Sequence, residues 1–433
     1  MKTLAIAVFL LFIGLSGETE FSGSAEMMGR MSYHKNPEFL KNRIFVETAL
    51  SGKLNEKASY LLKPSLYSDF SKEILETNNL TDKMYFSEMD LGLNEAYAKL
   101  TGFPFQFADV TVGRQVVSIG AGDVISPIDI INPDDLSDPL KFDKKIGKEI
   151  LSVECYTEIL NLSFYYSPIF KPSLLFGGFL NLEEQFQGVD YINDSIMMPS
   201  GIFESSDLFV AVSKDFAAIQ TSVFYGYTRT HTPMPYSLSI EMVSMTSAKA
   251  DINFFFPRMH TCGISFSGSA GDAGIWMDLS ANYISQTDYV IDMSGIGGGS
   301  ADTFSMKDNL FLKGLAGCDF TFPGGLYVSC QYSHGMRGEY GEELMHDYIF
   351  FGSRIPLMNE RVLIEPVNLS YEICDFKLIA KSGAVVLYPK VTFKTTDNLE
   401  ISAAMIFVEG TANTNFNKLN DQDAVELIVK YYF

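Results

Sequence analysis

The chain of 433 residues has one tryptophan, five histidines and five cysteines. Cys155, Cys262, Cys318, Cys330 and Cys374 are odd in number and contain no CxxC pair, which argues against a metal site and against a fully paired disulfide framework. His34, His231, His260, His334 and His346 are scattered, and none stands in an HExxH helix, a nucleophile elbow or a kinase-like setting. His260 with Ser265 and His346 with Asp347 come nearest to a hydrolytic pair, but each reads as an ordinary polar residue, so no catalytic residue and no enzyme is expected. Basic residues are scarce beside acidic ones, 32 against 53, for a formal net charge of −21. That balance argues against nucleic acid and anionic headgroups as partners, since both need a basic face. Beyond residue 17 no apolar run approaches the roughly 18 residues of a spanning helix, the longest being pieces such as Ala384 to Tyr388.

What is plentiful is aromatic and alternating. Aromatic residues make up 13% of the chain, with 35 Phe and 22 Tyr beside 34 Gly, a composition that suits strands between lipid and water. The last nine residues show it best, because Val425, Leu427, Val429, Tyr431 and Phe433 fall at every second position and make one face apolar to the end. Such a strand suits a barrel whose last strand pairs with its first and leaves no edge. Tyr431 and Phe433 are then the expected signal to the barrel-assembly machinery. At the other end Met1-Lys2-Thr3, the apolar run Leu4 to Leu15 and the small pair Ser16-Gly17 read as a cleaved signal peptide over 1–17. The expected fold is all-β: residues 18–433 as one transmembrane antiparallel up-and-down β-barrel in outer-membrane lipid, of about 16 strands, with roughly 14 to 18 also fitting.

The alternation recurs along the chain. Phe21, Gly23, Ala25 and Met27 interleave with Ser22, Ser24, Glu26 and Met28, giving a first strand with one lipid-compatible and one wet face. Ile275, Leu279 and Tyr283 oppose Trp276, Asp278 and Asn282, so Trp276 is expected to face the lumen. Tight turns are expected at Lys214-Asp215, Gly324-Gly325 and Asp397-Asn398, and long loops at Glu183 to Ser205, Thr287 to Asp302 and Gly410 to Asp423. Short helical turns are expected at Ser71 to Thr77 and Asp134 to Lys148. If Pro323-Gly324-Gly325 is a three-residue turn, Cys318 comes opposite Cys330, close enough for a disulfide. A two-residue turn separates them, and two unlinked thiols are the simpler expectation.

The chemically distinctive stretch runs from Val112 to Asp135. A strand bearing Arg114 enters a long segment rich in Asp and Pro. Strict alternation from Val110 and Val112 puts Arg114 on lipid, where charge is costly, so a bulge at Gly113 is expected to turn it inward. There its planar fork can pair with Asp123, Asp129 and Asp134 and pin the loop to the wall. The acid spacing matches no EF-hand loop, so no metal is expected, nor any cofactor.

The Gly113-Arg114-Gln115 strand, the glycine-rich exit at Gly120 to Gly122, Asn132-Pro133-Asp134 and the C-terminal hairpin from Asn398 to Phe433 resemble Gram-negative outer-membrane porin-like β-barrels, including the alginate-export-like group. The resemblance implies that the 120–149 loop, after the fifth strand, folds into the lumen. It also implies that Asp123, Asp129, Asp134, Asp135 and Asp138 opposite Arg114 form a constriction with a transverse field; a purely structural Arg-Asp clasp is the alternative. The expected function is passive diffusion of ions or small polar solutes, cation-favouring, in a barrel that a homotrimer would also suit. A plugged or narrow barrel serving as adhesin or surface structure, and a hydrophobic-ligand transporter, are the other readings.

Overall fold

A computed structural model describes residues 19–33, 39–69, 89–138, 140–141, 144–176, 189–244, 247–285, 288–296, 300–305, 309–378, 382–411, 414–419 and 423–433. The expected signal peptide, His34 and the helical turn at Ser71 to Thr77 lie outside the described residues. Eighteen antiparallel strands, each hydrogen-bonded to the next along the chain, close into a transmembrane barrel, the upper end of the expected range. Two of these strands are split by proline, which has no N–H to donate to the ladder. Val362–Glu365 and Asn368–Ile373 flank Pro366, and Gly383–Leu387 and Lys390–Thr396 flank Pro389.

Closure comes from the C-terminal alternation. Ala424–Tyr432 pairs with Thr19–Ser32 from Ser24 opposite Tyr432 to Ser32 opposite Ala424. One step further, the Gly23 N–H donates to the Phe433 carbonyl at 2.9 Å and the Phe433 N–H to the Gly23 carbonyl at 3.0 Å. Glycine is needed there because a Cβ at residue 23 would lie 2.6 Å from the Phe433 ring. The rings of Phe21 and Tyr431 flank Phe433 at 5.7 and 6.4 Å. Along the first strand Phe21 and Met27 are exposed, whereas Met28, Arg30 and Ser32 are buried. The same split puts Leu91, Val112, Phe164, Val223, Leu279, Leu312, Phe393 and Leu427 on the outside. In water that apolar belt would be a large unfavourable surface; in a bilayer it is the solvated face.

The two ends of the barrel differ. Both described termini and tight turns such as Ala217-Ala218, Gly271-Asp272 and Asp397-Asn398 lie at one end. Lys214 and Asp215 are not a turn, because they continue the ladder opposite Thr221 and Gln220 and the chain reverses at Ala217, whose φ is 52°. The other end carries the long connections. Three of them contribute a second sheet of five strands, in the order Ala301–Ser305, Asp288–Gly295, Met234–Ser244, Ser247–Phe255 and Tyr191–Met197, with two parallel pairings. The stretches expected as loops at Glu183 to Ser205 and Thr287 to Asp302 thus hold strands; Tyr191–Met197 and Asp288–Gly295 pair in parallel with strands of another connection, which leaves no local mark in sequence. Nor is there a helix among the described residues of 134–148, where an antiparallel bridge joins Asp134 to Lys145.

Candidate functional site

The fifth and sixth strands, Ala108–Gln115 and Lys148–Tyr156, are joined by a loop over 116–147 that crosses the lumen. Asn132, buried, ties its neck: its Oδ1 accepts the Val117 N–H at 2.8 Å and its Nδ2 donates to the carbonyls of Gln115 and Ile146, each at 2.9 Å. From there the glycine-rich exit reaches the far wall. Asp278 accepts the N–H groups of Ala121 and Gly122 at 3.1 Å and the Ser126 hydroxyl at 2.7 Å. Gly120, with φ of 96°, allows this approach, since a Cβ there would stand 2.7 Å from the Asp278 carboxylate. Gln331 then holds the next turn, accepting the Asp123 N–H and the Trp276 indole N–H at 3.0 Å each and donating to the Ile125 carbonyl at 3.1 Å. Trp276 does face the lumen, as its phase requires.

Apolar packing fills both sides of the crossing. Ile125 joins Tyr348, Phe350, Val386, Ile406 and Phe416, while Ile128 and Ile131 join Ile150, Tyr165, Phe209 and Phe224 on the opposite wall. Open space remains on the short-turn side, in a cavity of about 350 Å³ whose walls include Asp123, Lys141, Trp276, Gln331, Arg354 and Glu365. A smaller cavity of about 130 Å³ lies on the long-loop side, between Ile125, Leu136, Phe176, Arg337 and Phe416.

The charged residues sort differently from expectation. Arg114 does not enter the lumen. Its strand keeps unbroken register on both sides, Arg114 opposite Ala96 and Glu149, so no bulge shifts the phase at Gly113. Gly113 instead takes φ of 134° without adding a residue, and Arg114 stays on the outer face with exposed Val112 while Thr111 and Gln115 are buried. The outward charge is met by Glu149, 2.5 Å from Nη2, and by the Leu93 carbonyl at 2.9 Å; Lys171 shares the same carboxylate, 2.7 Å from its other oxygen.

A different arginine holds the loop. Arg30, inward on the first strand and buried, donates to Glu426 of the last strand at 2.6 and 2.9 Å and to both Asp138 oxygens at 3.2 and 3.1 Å. Tyr388 donates to Glu426 at 2.5 Å, and Lys41 stands 3.9 Å from Asp138. Burial opposes ionisation of Asp138, but the Arg30 and Lys41 charges and the Arg30 hydrogen bonds outweigh it and bring the carboxyl down to about 2. Asp129 pairs with Lys145 at 2.9 Å and Asp134 with Arg337 at 2.5 Å. Asp135 caps its own turn, accepting the Ser137 N–H at 3.1 Å. Asp123 borders the larger cavity, and burial followed by the nearby Asp319 charge raises its carboxyl above the usual range. The five aspartates are therefore dispersed through the loop rather than gathered opposite one arginine. Arg30 and Glu426 escaped sequence reasoning although their signal was present, since both continue the wet phase of the first and last strands.

Cys318 and Cys330 are cross-strand partners, as the three-residue turn at Pro323-Gly324-Gly325 requires, with Phe322 N–H donating to the Leu326 carbonyl. No disulfide joins them, and both lie exposed on the outer face.

No protein-family model and no curated protein matches the sequence. The fold is shared with crystal structures of two outer-membrane porins. Acinetobacter baumannii OccAB3 is 10% identical, with 96% of this chain and 99% of that one covered at a TM-score of 0.51. Pseudomonas aeruginosa OccK8 (OprE) is 11% identical, with 96% and 98% covered at a TM-score of 0.51. At such identity the likeness concerns the fold: a porin-like barrel.

Proposed function

We propose that the protein is an outer-membrane channel for passive diffusion of ions and small polar solutes, and that the 116–147 loop sets how much passes. The observation that carries this reading is a lipid-belted barrel whose lumen holds a loop bonded to several walls yet keeps a cavity of about 350 Å³ beside it, lined by charged as well as apolar side chains. A modest cation preference would rest on the overall excess of acids over bases, 53 against 32. Asp129, Asp134 and Asp138 are neutralised in ion pairs, whereas Asp123 has no ion-pair partner among the described residues. The cavity wall itself is balanced, with Asp123 and Glu365 against Lys141 and Arg354. In this reading Tyr431 and Phe433, which close the seam, also serve as the mark for barrel assembly.

The test is single-channel recording of the refolded protein in a planar bilayer under a salt gradient. Discrete ohmic steps with a reversal potential on the cation side are expected. Silence from a barrel shown to be folded by heat-modifiable gel migration would favour a narrow barrel displaying its outer five-stranded sheet. The apolar packing on both sides of the loop supports that second reading.

A further inference from the structure

We propose that His346, Glu372 and Cys374 form a binding site for a thiophilic divalent metal ion of the zinc(II) class at the long-loop rim of the barrel. No CxxC spacing announces it; the ladder register assembles it. His346 immediately precedes the strand Asp347–Leu357, and Glu372 and Cys374 stand at the end of Asn368–Ile373 and just past it. Asp347 lies opposite Ile373 and Tyr348 opposite Glu372, so His346 and Cys374 meet where the two strands leave the sheet.

One ligand atom from each side chain lies within 4.8 Å of the other two. The His346 Nδ1 is 2.6 Å from Glu372 Oε1 and 3.7 Å from Cys374 Sγ. Zinc bonds of roughly 2.0 Å to nitrogen and 2.3 Å to sulfur, at a tetrahedral angle, set those two atoms about 3.5 Å apart. The histidine and cysteine therefore already stand at bridging distance, and the carboxylate oxygen becomes a ligand by opening about 0.7 Å from the imidazole while closing on the sulfur from within 4.8 Å.

The surroundings fix the ligands as the outer shell of a metal site does. Glu372 is fully buried, and its carboxylate accepts the N–H groups of Asn415 at 2.7 Å and Phe416 at 2.8 Å. The His346 backbone N–H donates to the buried Glu339 at 3.3 Å. Imidazole, thiolate and carboxylate together suit zinc(II), whereas calcium and magnesium prefer oxygen alone. Three protein ligands leave the fourth position to water or a solute, and Cys374 gives its thiol proton to solvent as the ion binds. A bound ion would fasten the 335–346 connection to the barrel wall and, through Glu372, to the Asn415-Phe416 segment packed in the lumen.

The experiment titrates the full chain, refolded in detergent, with cobalt(II) as an optical stand-in for zinc. A saturable thiolate-to-cobalt charge-transfer band is expected, displaced by zinc, lost in Cys374→Ser, retained in Cys330→Ser and weakened at least about tenfold in His346→Gln. Thermal unfolding of the wild type should shift upward with zinc. Folded wild type without the band, or a band that persists in Cys374→Ser or vanishes in Cys330→Ser, overturns the proposal. If Cys374→Ser does not fold, His346→Gln decides: unchanged cobalt affinity in that variant overturns it equally.

Discussion

Arg30 and Arg114 are both strand arginines bonded to carboxylates, yet they face opposite solvents. Arg30 sits on the inward phase of the first strand, almost wholly buried between Asp138 and Glu426. Arg114 sits on the outward phase of the fifth strand, with about a third of its side chain exposed beside Glu149. The difference teaches that in a barrel the phase of the pleat, more than the local motif, assigns a charge its work. An inward arginine can reach a loop that crosses the lumen. An outward one can only be neutralised where it stands, and Glu149 with the Leu93 carbonyl does that for Arg114.

Removing each arginine separates the two roles. Arg30→Ala leaves Glu426 buried without a cation and Asp138 with only the more distant Lys41 at 3.9 Å, which costs on the order of 3–5 kcal/mol. A lower unfolding temperature and a larger, noisier channel current are expected together, read by heat-modifiable gel migration and bilayer recording. Acid should weaken the same clasp by a smaller amount. The folded Asp138 carboxyl is depressed to about 2 from an ordinary 3.8. Its contribution is thus fully present above about pH 4 and lost as pH falls from there through about 2, a change of roughly 2 kcal/mol. A pH series of denaturant midpoints, compared with Asp138→Asn, isolates it: the variant should lack this part of the acid dependence. Arg114→Ala is the smallest of the three, because its pair is partly exposed and screened. Less than about 1 kcal/mol of stability and no change in conductance is expected. An altered conductance in Arg114→Ala with Arg30→Ala unchanged would reverse the assignment.

Much of this architecture was legible in the chain. Val425 to Phe433 announced a closing strand, and the closure occurs on the residues of that apolar face, with Phe433 against Gly23. The Pro323-Gly324-Gly325 turn set the Cys318 and Cys330 register. The inward fold of the loop after the fifth strand followed from resemblance, and the glycine exit at Gly120 to Gly122 is where it meets Asp278. What misled was Gly113, read as a bulge because an outward arginine is costly; cross-strand Glu149 met that cost without a change of phase, and an isolated strand cannot show its neighbour. The outer five-stranded sheet was hidden for the same reason, since its parallel pairings join segments from different connections. The His346, Glu372 and Cys374 cluster likewise exists only once two strands are in register.

The most direct test of the claim that the latched loop governs passage compares bilayer currents of the wild type and Asp138→Ala, recorded side by side from barrels of equal heat-modifiability. The variant removes the loop's side of the clasp and leaves Arg30 with Glu426. A larger and more variable unit conductance in Asp138→Ala is the predicted result. Identical conductance, or silence from both, would contradict it.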